Sequence, residues 1–323
     1  MKTSTSTSTL ALAAAAIMMT GMASAADFPA RPIQVVVPYS AGGSTDLSLR
    51  VFADVFEKKF EGKQFVVRNQ PGGGGAIGTS AAVHGRPDGY TVGAAAQGPI
   101  AIKPHIGGTD YEVDNFAFVG LFARSLQVLV ACKDAPFSDY DAFIEYAKSK
   151  KPQVGNSGAG GANQISAEAF AAAAGIKIES IPFEGSSKAR TACIGGHIDA
   201  MVASPAEAKA ASEAGQMVPL FVMEDKRIDL FPDTPTAVEK GVDFTWSSWK
   251  GLIAPKNTPA DQLAWLREAT KAVATDPAFV QKMTDMGEFV TYEDAETFEK
   301  RVRKDSDVSR KVLEELGMLG MNK

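Results

Sequence analysis

Histidine and cysteine are scarce in this chain, three and two among 323 residues, and neither type falls into a ligating spacing. There is no H-x-x-H, no C-x-x-C and no EF-hand loop, so no metal site is expected. There is also no P-loop, because neither of the two main glycine loops is followed by Lys and Ser/Thr in the required places; no cofactor is expected. Long hydrophobic runs are missing too. The longest, Leu10 to Met19, is too short to serve as a permanent membrane span. Nor is there an excess of positive charge: 33 Lys and Arg against 38 Asp and Glu give a formal net charge of −5. A mildly acidic surface argues against nucleic acid or anionic membrane as a partner.

The N-terminal stretch MKTSTSTSTLALAAAAIMMTGMASA has a lysine near its start, then the apolar run, then Ala23 and Ala25 at A-x-A spacing. This pattern predicts a secretory leader over residues 1–25, removed after Ala25, and hence an exported protein. Loss of Lys2 with an acid-free leader makes the mature charge −6. No cysteine follows the cleavage site, so no lipid anchor is expected. About 300 mature residues with 45% hydrophobic content can bury a large core, and the length favours two domains. In an oxidising compartment Cys132 and Cys193 either pair or serve as two small core residues.

Along the chain, strand-like runs alternate with helical patterns. PIQVVVP precedes a helix near 45–60, QFVVRN precedes a Gly-rich turn and a helix near 75–84, and YTVGAAA precedes PIAIKPHI. A β-α-β rhythm of this kind argues for an α/β fold with a mostly parallel sheet. A second series runs from FAFVGLFARSLQVLVACKD to VPLFVME, after which the chain becomes helical over 259–274, 277–286 and 295–315. Those late helices need a sheet to cover. The simplest arrangement returns the chain to the first domain, which is then discontinuous (26–127 plus 246–323), with 128–245 forming the second domain and two chain crossings at a cleft.

Two loops share one design. In VVVPYSAGGSTDLSLR, a buried-looking strand enters a glycine turn and then a helix, and QVGNSGAGGANQ repeats the scheme in the second series. Glycines let backbone amides approach a ligand, and a helix N-terminus reached through them attracts anions. Facing each other across a cleft, the two loops would clamp a small anion. GGGGAIG matches G-x-G-x-x-G at Gly73, Gly75 and Gly78, but Gln70 and Pro71 separate it from its strand and Asp88 comes too early, so it reads as a tight backbone connection, not a dinucleotide site. Ser157 in GNSGA falls one glycine short of a nucleophile elbow. His84, His105 and His197 sit in polar, turn-like contexts that suit surface or capping roles. Trp246 and Trp249 read as hinge or core packing; Tyr39 and Phe183, at strand-to-loop junctions, read as either packing or ligand contacts.

Taken in order, RPIQVVVPYSAGGSTDLSLR, VVRNQPGGGGAIG, RPDGYTV, GAGGANQISAEAF, IPFEGSSKARTACIGGHIDAM and WKGLIAPKNTP resemble the solute-binding receptors of tripartite tricarboxylate transporters, the TctC-like or Bug proteins, over essentially the whole mature chain. The resemblance implies a two-domain periplasmic binding protein of the type II class that closes on a carboxylated metabolite and passes it to membrane permease subunits. It implies a monomer and no catalysis. It also implies that the carboxylate is held by the loop Tyr39, Ser40, Ala41, Gly42, Gly43, Ser44, Thr45 and Asp46 and by Ser157, Gly158, Ala159, Gly160, Asn163 and Gln164. Phe183, Glu184, Gly185 and Asp199 would complete the pocket.

Four positions depart from the family pattern. Phe183 stands for a usual tyrosine, Gln164 for a histidine, Lys188 for a proline, and Gln97 where small hydroxyl residues are frequent. They fall where the far end of the ligand would be read, and Lys188 in the pocket would favour a dicarboxylate. Asp46 is expected to cap its helix or to accept from a water or a ligand donor. Two other functions stay open on sequence: an exported hydrolase or lyase using Ser44 or Ser157, which needs a histidine within about 3 Å, and a sensor for a signalling partner.

Overall fold

A computed structural model describes residues 28–321; the expected leader lies outside them. The valine run forms β1 (Ile33–Val37), nearly all buried and flanked on both sides by parallel partners, β2 (Phe65–Asn69) and β3 (Thr91–Ala96). Successive residues of β1 point to opposite faces of the sheet and nearly all are buried, so both faces are covered, which is what an uninterrupted apolar run requires. The first sheet is completed by β4 (Phe116–Leu126), β10 (Ser247–Pro255) and β11 (Phe289–Glu293), in the order β11-β4-β10-β3-β1-β2. The second sheet contains β5 (Val128–Ala131), β6 (Gln153–Asn156), β7 (Glu179–Pro182), β8 (Ala200–Ala203) and β9 (Val218–Val222), in the order β7-β6-β8-β5-β9.

Both sheets are mixed, which corrects the expectation of a mostly parallel one. β10 runs antiparallel to β3 and β4, β11 antiparallel to β4, and β5 antiparallel to β8 and β9. For β5 and β10 the cause lies in the two crossings. β4 leads out of the first sheet into β5, with only Gln127 between them, and β10 leads back in after β9. A strand arriving from the other sheet enters from the cleft end and so runs against its neighbours.

Helices cover the sheets through ordinary amphipathic spacing. In α1 (Ser44–Lys59), Leu49, Phe52, Val55 and Phe56 are buried, and Phe52 meets Phe65, Phe122 and Phe279. Each such side chain contributes about 1.5–3 kcal/mol by leaving water. The short α2 (Ala76–Val83) and α3 (Lys103–Ile106) follow β2 and β3. Sequence period alternates across β5: Leu129 and Ala131 face a core with α4 (Tyr140–Ser149) and α5 (Ala162–Ala173), while Val128, Val130 and Cys132 face α6 (Ser186–Ile194) and α7 (Pro205–Glu213). The C-terminal helices α8 (Ala260–Ala274), α9 (Pro277–Asp285) and α10 (Ala295–Glu315) return to the first sheet.

Of the two readings of the cysteines, the structure takes the first. Cys132 and Cys193 form a disulfide across 61 positions of sequence, joining the end of β5 to α6. Titration of the denatured, unreduced protein should accordingly find no free thiol; two per chain would return both cysteines to the small-core reading.

Candidate functional site

The parallel strands of both sheets point their C-terminal ends at one space between the sheets, where open α/β folds place ligands. From the first sheet, β1 leads into the loop 38–43 and α1, and β3 ends beside Gln97 and Gly98. From the second, β6, β7 and β8 lead into α5, α6 and α7. Four helix N-termini thus border one chamber, with Ser44, Ala162, Ser186 and Ser204 all in its lining. Gly43, Gly161 and Gly185 stand at the N-cap positions of α1, α5 and α6, and none of these three helices has a side-chain cap. Their first-turn amides lack the usual partner and carry the positive end of the helix dipole, each favourable to an anion by about 0.3–1 kcal/mol. α7 differs: Ser204 and Glu207 close a capping box on it.

The chamber has a volume of about 50 Å³, room for about three to five waters. Of the residues expected at the site, Tyr39, Gly43, Ser44, Thr45, Gln97, Ser157 and Asn163 line it. An outer pocket, separated from it by Tyr39 and Ser157, is lined by Gly158, Ala159, Phe183, Glu184 and Lys188 together with Gly72–Gly75. Lys188 is exposed on this outer rim. Burial pushes the Tyr39 phenol well above its ordinary value, so it is a neutral wall between the two spaces.

The remaining expected residues line neither space. Ser40 hydrogen-bonds Ser187 across the cleft, and Gly185 packs against Ser40. Ala41 is exposed. The Gly160 amide donates to Gln164 Oε1 at 2.7 Å, so Gln164 staples its own loop. Asp199 lies at the far end of the second sheet: β6 and β8 run parallel with Val154 opposite Ala200, and its carboxylate accepts from the Gln153 amide at 2.8 Å, at the start of the strands and not at their cleft end.

Asp46 is a loop staple as well. It is 1% exposed and accepts from the Gly42 amide (2.8 Å), Arg50 Nε (2.9 Å) and Asn69 Nδ2 (2.9 Å). Burial alone would raise its carboxyl, but the bonds from Arg50, Gly42 and Asn69 outweigh burial and hold it below the usual range. A depressed carboxyl stabilises the fold above its unfolded value of about 3.9 and loses that contribution as the pH falls through the lower folded value. Asp46→Asn should therefore cost about 1–2 kcal/mol at pH 7 and much less in acid. Urea unfolding at pH 7 and pH 3 measures both; equal stability of the two proteins at pH 7 would contradict the role.

Beneath the loop lies a pair that sequence reasoning missed. Lys250 and Glu288 are 3% and 2% exposed and form an ion pair. The Lys250 ammonium also donates to Ser44 Oγ and to Ser48 Oγ (2.9 Å), and Glu288 Oε1 accepts from Ser44 Oγ (3.0 Å) and Ser125 Oγ (3.3 Å). Lys250 lines the chamber, yet its three N–H groups are engaged internally. Trp249, from the same strand, also lines it and donates Nε1 to Asp305 at 2.8 Å. Ser125, Gln127, Ser186, Ser204, Glu207 and Ser248 are further lining residues that the sequence reading did not single out. Two signals were available: a lone lysine inside the apolar run WKGLIAP, and S-P-A-E at 204–207, which has capping-box spacing.

Across the cleft the two halves meet backbone to backbone. A Cβ on Gly98 would stand 2.9 Å from the Ala162 amide nitrogen and 3.1 Å from Gly161 Cα, and one on Gly74 would overlap the Ala159 carbonyl oxygen. The glycine run 72–75 therefore forms the cleft rim. The histidines stand apart from the chamber: His84 near Asp110 at 3.4 Å, His105 on Ser306 at 2.7 Å, and His197 in the turn after α6. The hydroxyl partners of Ser44 are Lys250, Glu288 and Ser125, with no histidine among them.

The family model described as tripartite tricarboxylate transporter family receptor matches residues 49–318. Among curated relatives, Protein BugT of Bordetella pertussis is 30% identical over 273 residues, covering 82% of each chain. Among the solved structures that share the fold are two whose ligands are named. The R. palustris protein Rpa4515 with adipate superposes with a TM-score of 0.86 at 26% identity, covering 91% of this chain and all of that one. MatC from Rhodopseudomonas palustris with bound malate gives 0.81 at 26% identity, over 88% of this chain and all of the other.

Proposed function

Because the chain belongs to the family of tripartite tricarboxylate transporter receptors, we propose that it captures a small organic carboxylate in the periplasm and delivers it to the membrane permease subunits of such a transporter. One observation carries the reading: the uncapped N-termini of α1, α5 and α6, drawn from both sheets, open on one chamber. A carboxylate removed from water must have its oxygens satisfied, and amides at helix ends do this while adding the dipole contribution. Binding of this kind needs no covalent step. The bodies that close are residues 26–127 with 246–323 and residues 128–245, joined by the crossings at Gln127 and before β10, and the leader is removed after Ala25. Tyr39, Gly43, Ser44, Thr45, Ser157 and Asn163 contact the ligand in the chamber, and Phe183, Glu184 and Lys188 guard its outer approach.

A thermal-melt screen over mono-, di- and tricarboxylates, aromatic acids and amino acids tests the reading. At 100 times its dissociation constant a ligand adds about 2.7 kcal/mol of stability, roughly 5 °C or more in a chain of this size. Failure of every acid to raise the melting temperature would reject it.

A further inference from the structure

Glu207 lines the chamber from the first turn of α7 and is 2% exposed. Its Oε2 accepts from the Ser204 amide (3.1 Å) and hydroxyl (3.0 Å), whereas its Oε1 is buried without a partner. Leaving a buried acceptor unsatisfied is unfavourable, the more so for a charged one. Gln97 and Gln127, which line the chamber as well, also bury an unpartnered Oε1. An amide can rotate to offer either its oxygen or its NH2 group, so these two suit a donor or an acceptor. A carboxylate offers acceptors alone.

Among the described residues no side chain or backbone donor answers Glu207 Oε1. Lys250, the one ammonium in the lining among the described residues, is already bonded to Ser44, Ser48 and Glu288, and Glu288 balances its charge. The chamber is thus lined by uncapped amides suited to an anion and, on the α7 side, by Glu207, whose carboxylate has one oxygen left for a cationic donor. A second carboxylate on the ligand would meet Glu207 as a like charge in a site without bulk water.

We propose that the ligand is an amino carboxylate, its carboxylate on the amides of α1, α5 and α6 and its ammonium on Glu207 Oε1, with Gln97 and Gln127 alongside. This rests on the carboxylate-capture reading and narrows it. It also moves ligand selection from Lys188, on the outer rim, to Glu207 inside.

Calorimetric titration of the full mature chain with matched probes tests the assignment: L-alanine against propionate, 4-aminobutanoate against butyrate and succinate, and 6-aminohexanoate against hexanoate and adipate. At least one amino acid should bind tenfold or more tighter than its counterparts. Glu207→Gln, which keeps the capping box because glutamine serves at that position, should shrink the preference to about threefold or less while melting close to wild type without ligand. Dicarboxylates binding as tightly as, or tighter than, every matched amino acid would overturn this proposal and leave carboxylate capture standing, with a water on Glu207 instead. A preference unchanged in Glu207→Gln would overturn it too. If no probe of either kind binds and the wider acid screen is also blank, carboxylate capture fails and this assignment falls with it.

Discussion

Lys250→Met is expected to lower the stability of the protein by about 3–5 kcal/mol, the range for removing one partner of a buried ion pair. The loss comes less from the attraction removed than from the charge left behind. Glu288 stays 2% exposed with one oxygen already unpartnered, and its other oxygen keeps only the hydroxyls of Ser44 and Ser125. At about 2–4 °C per kcal/mol the melting temperature should fall by roughly 6 °C or more. The double variant Lys250→Met/Glu288→Met should recover much of the loss, since a well-packed apolar pair is often neutral or better than the ion pair it replaces. Urea unfolding of the single and double variants measures both quantities. A single variant within 1 kcal/mol of wild type would mean that Glu288 finds another partner or gives up its charge at little cost.

Gly98→Val should weaken ligand binding by at least a hundredfold, about 2.7 kcal/mol, while the unliganded chain remains folded. Gly98 follows β3, and the nearest atoms a side chain there would meet are the Ala162 amide nitrogen and Gly161 Cα of the other sheet. Backbone cannot step aside as the end of a long side chain can. The added methyl groups therefore act on the approach of the two halves, and the amides of α5 are kept from the chamber. Gly98→Ala should show the same defect in smaller measure. The screen's best acid, titrated into wild type and both variants, gives the comparison; wild-type affinity in Gly98→Val would mean that the halves need not meet here for binding.

Much of the fold was legible because its signals are local. The late helices were placed to within one residue of their observed ends, since their apolar period marks all three and Pro259 and Pro277 mark the start of two. The glycine loops were legible for the same reason, as strand, glycine, helix start. Strand direction was not. It depends on where a returning chain enters a sheet, and so the mixed character of both sheets escaped, and with it the fact that Asp199 lies at the wrong end of β8 for the cleft. The edge strand β11, with Phe289 half exposed, shows neither alternation nor an apolar run. The helix α7 is short and built of small residues between two strands. Lys250 stood out as a charge in an apolar strand, but its partner lies 38 positions away and only the fold brings it there. Glu207 was hidden by an ordinary role: its carboxylate caps a helix with one oxygen, and only the geometry shows the other to be free.

Small-angle scattering in the absence and presence of the tightest-binding acid tests most directly the central claim, that two bodies close on a carboxylate held by their facing helix ends. The radius of gyration should fall on saturation in wild type and stay unchanged in Gly98→Val, whose halves are held apart. A wild-type radius that does not change under saturating ligand would contradict closure and leave the chamber as a site already formed.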